Sequence, residues 1–187
     1  MTEPKKLTTN QRTLVNNLTR ELFQTETSAV RHSKREAARL GDTAPAHALR
    51  SVAAHAEEVL PQLPQLAERN GLIVSKGGMV VGELFSQTRD KFADMLIDSE
   101  RSYRGTLLGM RHGVDVVRLL EEFARSVDNA ELTQFCTQWL ERRQPLVQEV
   151  DAELRWFAQN PDEAVKIARP LFARGRASRR STSHATQ

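Results

Sequence analysis

Several kinds of residue are scarce in this chain of 187 residues, and each scarcity excludes a class of protein. A single cysteine excludes a fold held together by intramolecular disulfides. No apolar run reaches the roughly 18 residues that a membrane-spanning helix requires. Aromatic residues make up only 5% of the chain, and glycine and proline are few, a balance that favours helix over sheet. We therefore expect a cytoplasmic, all-α protein, and its length suits one domain.

Apolar residues recur every three or four positions along four stretches, which is the spacing of one buried helix face. The stretches cover residues 9–40, 45–69, 80–124 and 130–158. Pro61 and Pro64 lie inside the second stretch and predict a kink or a break there. We predict an antiparallel up-down-up-down four-helix bundle over residues 9–160. A flexible N-terminus (1–8) precedes it, and a short amphipathic segment with a disordered basic tail (161–187) follows.

The stretch 80–124 is predicted to be the central helix, but its inner face carries no chemistry. Thr88, Ser99 and Thr106 lie on that face, and no carboxylate or histidine does. Three glycines spaced by four, at positions 105, 109 and 113, leave two interpretations open. They mark a flexible or bent region, given the low helix propensity of glycine, or a close helix crossing that includes a contact with a second chain.

Arg143 is the unexpected residue of the last helix. Its helical phase places it near the centre of the buried face, with Trp139 and Leu146. A buried arginine must be paired, and the first and last helices are expected to be neighbours. We therefore predict a core ion pair of Arg143 with Glu26 or with Glu36. The alternative is that the long side chain of Arg143 reaches solvent near Pro145.

Candidate catalytic groups are few. Metal-binding bundles commonly use inward glutamates and Glu-x-x-His motifs, and this chain contains no Glu-x-x-His. The best candidate cluster on the first two helices is most simply explained as surface ion pairs and histidines at the edge of the buried face, and it comprises Glu26, His32, Glu36, His55 and Glu58. Cys136 lies among apolar residues, which predicts an unreactive core thiol. We predict no catalytic residue, and the chain leans away from being an enzyme.

The charge is unevenly distributed. The net charge is +3, but residues 164–187 contain six basic and no acidic residues, so the rest of the chain carries −3. The arginines at the end of the chain are Arg174, Arg176, Arg179 and Arg180. Basic, serine-rich ends are usually solvated and disordered. The alternative is an arm that binds nucleic acid or another anionic partner through phosphate contacts.

Several short segments carry a resemblance to a known family. They are His55-Ala-Glu-Glu, Gly82-Glu83-Leu84, Leu96-Ile97-Asp98-Ser99-Glu100, Leu119-Leu120-Glu121-Glu122 and Leu140-Glu141-Arg142-Arg143. With the four-helix pattern, they make the chain similar to the ferritin-like superfamily, especially its small bacterial stress-associated branches. The resemblance implies a four-helix bundle, in which members with a di-metal centre use inward carboxylates and histidines. The positions that match such ligands are Glu26, His55, Glu58 and Glu100.

The later helices depart from that ligand pattern, because Glu100 is followed by Arg101 and the last helix offers Arg142 and Arg143. The leading hypothesis is therefore a non-catalytic ferritin-like bundle without a cofactor. It would act through protein–protein contacts and have a role in a stress response. We expect it to be a homo-oligomer, and specifically a dimer. One alternative is a divergent iron or manganese di-metal protein. Another is a nucleic-acid-associated protein that uses the tail.

Overall fold

The computed structural model describes residues 7–72 and 97–167. Within these two ranges the chain is helical apart from short connections and one isolated bridge between Asp98 and Ile167, so the prediction of an all-α protein is confirmed there. The helices are α1 (Thr9–Leu40), α2 (Ala44–Val59), a 3₁₀ turn (Leu60–Gln62), α3 (Leu63–Arg69), α4 (Ser99–Ser126), α5 (Ala130–Ala152), α6 (Leu154–Gln159) and α7 (Pro161–Ala164). None of the described helices is long and apolar enough to cross a membrane.

The first two predicted helices have the expected bounds for identifiable reasons. A capping box starts α1, in which Thr8 accepts from the Gln11 backbone and the Gln11 side chain accepts from the Thr8 backbone. Gly41 ends α1 with a φ of 71°, a conformation that glycine adopts without strain. The break predicted at the two prolines is present, since α2 ends at Val59 and a 3₁₀ turn leads into α3.

The predicted third helix differs from the observed α4 at its start. The structure places Asp98 in an extended conformation, with a ψ of 150°, and α4 begins at Ser99. The prediction of one helix continuous from Val80 is therefore wrong at Asp98, and its earlier part, including Thr88, lies outside the described residues. From Ser99 onward the helix continues without interruption past all three glycines to Ser126.

The last predicted helix is also corrected. Asn129 caps α5, because its side chain accepts a 3.0 Å hydrogen bond from the Leu132 backbone. Asp128, just before it, turns the chain with a φ of 57°. The helix continues through Pro145, and its interruption falls at Glu153, where α6 begins.

The packing partners of the helices differ from the prediction. Helix α1 packs against α2 and α4, and α5 packs against the same two helices. Helices α1 and α5 are therefore diagonal, and the prediction that they are neighbours is wrong.

The direction of α4 also overturns the predicted up-down-up-down order. Arg39 Nη1, near the end of α1, lies 3.4 Å from Ser102 Oγ, near the start of α4. Thr25, in the middle of α1, packs against Gly113, in the middle of α4. The two helices are therefore antiparallel. Helix α2 is antiparallel to α1 as well, because Lys34 pairs with Glu57 across their hairpin. It follows that α2 and α4 run in the same direction.

This order requires a connection between opposite ends of the helices. Asn70, after α3, accepts a 2.7 Å hydrogen bond from Asn129 at the end where α5 begins. Ser99, which starts α4, donates to the Lys166 carbonyl at the other end. Helix α4 has 28 residues, which corresponds to about 42 Å at 1.5 Å per residue. The sequence predicted a short connection instead, because its apolar residues have helical spacing from residue 80 onward.

The core is mostly apolar, and its fully buried charged side chains lie near the middle of the described helices. Its largest fully buried apolar side chains are Leu22, Leu49, Leu63, Tyr103, Leu107, Leu120 and Leu132. The Tyr103 hydroxyl donates a 2.8 Å hydrogen bond to the Val150 carbonyl, which joins α4 to α5. Among the apolar side chains lie Glu26, His55 and Arg143, each from a different helix.

Candidate functional site

Arg143 lies at the centre of the described helices with 2% of its surface exposed. Its Nη2 donates to Glu26 Oε2 at 2.6 Å, and its Nε donates to His55 Nδ1 at 2.9 Å. The guanidinium carbon also lies 4.9 Å from the centroid of the Trp139 ring, which is a cation–π distance. One guanidinium therefore joins α1, α2 and α5. The Arg143–Glu26 contact is the first of the two pairings expected from the sequence.

The Glu26 carboxylate is fully buried and only partly hydrogen bonded. Its Oε1 has no partner at hydrogen-bonding geometry within the described residues, and neither does the Trp139 indole Nε1. Burial raises the pKa of Glu26, and the charge and hydrogen bond of Arg143 oppose that rise, as does the nearby Trp139 indole to a smaller extent although it is outside hydrogen-bonding geometry. Burial likewise lowers the pKa of Arg143, and Glu26 opposes the decrease. An arginine side chain stays protonated in proteins, so Arg143 presents a fixed positive charge to the Glu26 carboxyl group.

His55 is the third member of this centre. Burial, together with the positive charges of Arg143 and Arg142, lowers the pKa of His55 to about 4, and the negative charge of Glu58 opposes the decrease. The imidazole is therefore neutral at pH 7. It accepts the Arg143 hydrogen bond at Nδ1, which assigns the proton to Nε2. The lone pair that a metal ion would need on Nδ1 is already used by Arg143.

The remaining candidate ligands are not brought to this centre. Glu58 is exposed and pairs with Arg142 at 2.6 Å, and Glu100 pairs with Arg104 at 2.6 Å. Within residues 7–72 and 97–167, no group of three or more histidine, cysteine, aspartate or glutamate side chains could hold a metal ion. The four residues that match family ligands therefore do not fit a di-metal centre in this arrangement.

Glu36 makes a different ion pair from the one expected. It is buried, but it pairs with Arg39 three residues away at 2.5 Å, and Arg143 is bonded to Glu26 instead. Glu36 lies ten residues after Glu26, which is about 15 Å along the helix axis. The Arg143–Glu36 alternative is therefore wrong, as is the expectation of an exposed Arg143.

A small cavity adjoins the ion pair between α1 and α4. It has a volume of about 20 Å³, and its lining includes Glu26, His32, Gly109, Gly113 and Arg143. That volume suits about one water molecule. Gly113 allows the close approach of the two helices, because a Cβ at this position would lie 3.3 Å from the Cβ of Thr25. The close crossing expected at the glycines is thus made at Gly113 within the chain.

The other predicted positions are quickly placed. Cys136 is completely buried, and burial raises the pKa of its thiol to about 12, so the nucleophilic thiolate does not form near neutral pH. At the start of α4 the Ser99 hydroxyl donates a hydrogen bond to the Lys166 carbonyl. The Thr106 hydroxyl donates to the Ser102 carbonyl of its own helix. The four tail arginines at positions 174, 176, 179 and 180 lie outside the described residues.

Sequence reasoning missed the central role of His55, because it explained this residue most simply as part of a surface ion pair at the edge of the buried face. The signal was present, since His55 comes three residues after Val52 and four before Val59, and both valines are buried. Comparison of the chain with protein-family models, with curated proteins and with solved structures found no match.

Proposed function

We propose that this protein is a ferritin-like four-helix bundle in which a structural ion pair has replaced a metal centre. In this proposal it acts without catalysis, through contacts with other protein chains. The observation that carries it is the Arg143 guanidinium, which is buried between Glu26 and His55. Glu26 and His55 are the two family-matched ligand positions that face the interior. Both already accept hydrogen bonds from the positively charged Arg143 guanidinium.

Electrostatics supports this replacement. A divalent ion beside Glu26 would have to share the centre with a guanidinium that cannot lose its proton, and like charges at such distances repel strongly in a medium of low polarity. One carboxylate also balances one arginine, which leaves no negative charge for a second cation. The arginine supplies the crosslink between helices that a metal ion would otherwise make.

The order of the helices supports the ferritin-like part of the proposal. Helices α2 and α4 run in the same direction, and the chain between them joins opposite ends of the described helices. Four-helix bundles with one long crossover are the arrangement of ferritin-like folds. A role in a stress response belongs to the same proposal and rests on the family resemblance alone, whereas the proposed cytoplasmic location rests on the composition of the chain.

The experiment is a metal analysis of the full chain purified without chelator and then incubated with Fe²⁺ or Mn²⁺ and desalted. The proposal predicts less than roughly one tenth of an ion per chain, which is the level expected from weak binding to surface carboxylates. The Arg142→Ala variant is the matched control, because it removes the adjacent but exposed arginine and should behave as the wild type does. One or two ions per chain, lost on Glu26→Gln, would establish the di-metal alternative instead.

A further inference from the structure

The outer face of α4 carries two exposed leucines that the interior does not use. Leu108 is 65% exposed and Leu119 is 51% exposed, which makes them the most exposed leucines in the described ranges. They are eleven positions apart, which is close to three full turns, so they lie on the same side of the helix. His112 and Asp115 lie between them on that side and are exposed, each with a long ion-pair contact within the chain, of 3.7 Å from His112 to Glu21 and 3.6 Å from Asp115 to Arg118. This face is directed away from the core residues of α4.

The order of residues along this face is symmetric in a way that suits a second copy. We infer that α4 pairs with the α4 of a second copy of this chain in an antiparallel arrangement, with the two-fold axis passing between Gly113 and Val114. In that register Leu108 meets Leu119 of the second copy, and His112 meets Asp115 of the second copy. Two-fold symmetry repeats each contact, as an isologous interface requires.

A further pair of opposite charges fits the same register. Arg104 and Glu122 lie on one flank of the face, and antiparallel two-fold pairing brings the same flanks together. Arg104 then lies opposite Glu122 of the second copy. Within the chain, Arg104 pairs with Glu100 and Glu122 pairs with Arg125, both over one helical turn and exposed. Such surface pairs contribute little, so they can exchange partners readily.

The inference deepens the proposed contact role, because it names the partner and the surface. A contact made by one helix from each chain is small, so it belongs to the weak class of interfaces. We expect a reversible dimer with a dissociation constant of about 1–100 μM, in the range of such small interfaces. The matched leucines supply the apolar contact, and the charge order selects the antiparallel direction over the parallel one.

The first experiment measures the mass of the full chain by sedimentation equilibrium from about 1 to 300 μM, a span that brackets the expected constant. The wild type should change from monomer to dimer across this range. Leu119→Glu should weaken association at least about tenfold, because it places a carboxylate against the apolar Leu108 of the second copy. Leu14→Glu is the matched control, since Leu14 is an exposed leucine on α1 and its change should leave association unaltered.

The second experiment tests the register by crosslinking with the oxidant diamide. A mixture of the Leu108→Cys and Leu119→Cys variants should form a disulfide-linked heterodimer, and each variant alone should form much less. The native Cys136 is buried and does not compete. Crosslinking of each variant alone, without the mixed product, would overturn the register, and a wild type that stays monomeric would overturn the interface. If Leu119→Glu lowers the melting temperature of a monomer, residues of the same chain cover this face instead. The metal content of the protein is independent of all these outcomes.

Discussion

Arg142 and Arg143 are adjacent in the chain, and each makes an ion pair with a nitrogen–oxygen distance of 2.6 Å. The Arg142–Glu58 pair is more than half exposed on both sides, whereas the Arg143–Glu26 pair has 2% or less of either side chain exposed. Equal distances therefore accompany opposite environments. The comparison teaches that burial, and not contact length, decides what an ion pair does for the fold.

The physical reason is the cost of removing charges from water. An exposed pair is screened and gains little, typically less than about 1 kcal/mol. A buried pair has lost its hydration, so each charge depends on the other, and removal of one partner leaves an uncompensated charge. Arg143 also holds His55, which ties the protonation of the imidazole to the same centre. Changes at the buried pair should thus be large, and changes at the exposed pair should be small.

The largest effect is expected for Glu26→Leu. This change leaves the Arg143 guanidinium buried without its counter-charge, and we expect the free energy of unfolding to fall by about 3–5 kcal/mol. Urea unfolding followed by circular dichroism at pH 7 measures it. A loss smaller than about 1 kcal/mol would show that Glu26 contributes no more to stability than the carboxylate of an exposed ion pair does.

An intermediate effect is expected from pH through His55. Its pKa is about 4 in the folded protein and near 6.5 when unfolded, so the unfolded chain binds more protons between these values. Stability from this group is complete above pH 6.5 and is lost as the pH falls toward 4. Since one pKa unit corresponds to 1.36 kcal/mol, the loss is at most about 3 kcal/mol.

The control for the pH effect is His55→Asn, which keeps an acceptor for Arg143 in a side chain that does not titrate. Glu26 has a raised pKa and contributes the opposite slope, which this variant retains. Urea unfolding at pH 7 and pH 5 should therefore show a smaller loss of stability in the variant than in the wild type. Equal losses in the two proteins would remove His55 as the source.

The smallest effect is expected for Arg142→Ala. Its partner Glu58 becomes hydrated rather than stranded, and the free energy of unfolding should change by less than about 1 kcal/mol. The same urea unfolding experiment measures it, and added salt should reduce the difference further. A loss comparable to that of Glu26→Leu would remove the distinction between the two pairs.

Local signals in the sequence predicted the helices well and their arrangement less well. The spacing of apolar residues located α1 and the proline pair located the break after α2, because both signals are local in the sequence. The buried phase of Arg143 was readable for the same reason. The direction of α4 could not be predicted in this way. It depends on the end of the helices at which α4 begins, and helical spacing carries no information on that. The burial of His55 was missed because its hydrogen-bond partner Arg143 is 88 positions away in the sequence.

A double-mutant cycle of Glu26→Leu and Arg143→Met measures whether each charge of the buried pair is tolerated only because of the other. We expect each single change to lower the free energy of unfolding by about 3–5 kcal/mol in urea unfolding. The double variant should return close to wild-type stability, because two apolar side chains leave no uncompensated charge in the core. Losses that simply add in the double variant would contradict this mutual dependence and show that the two residues act independently.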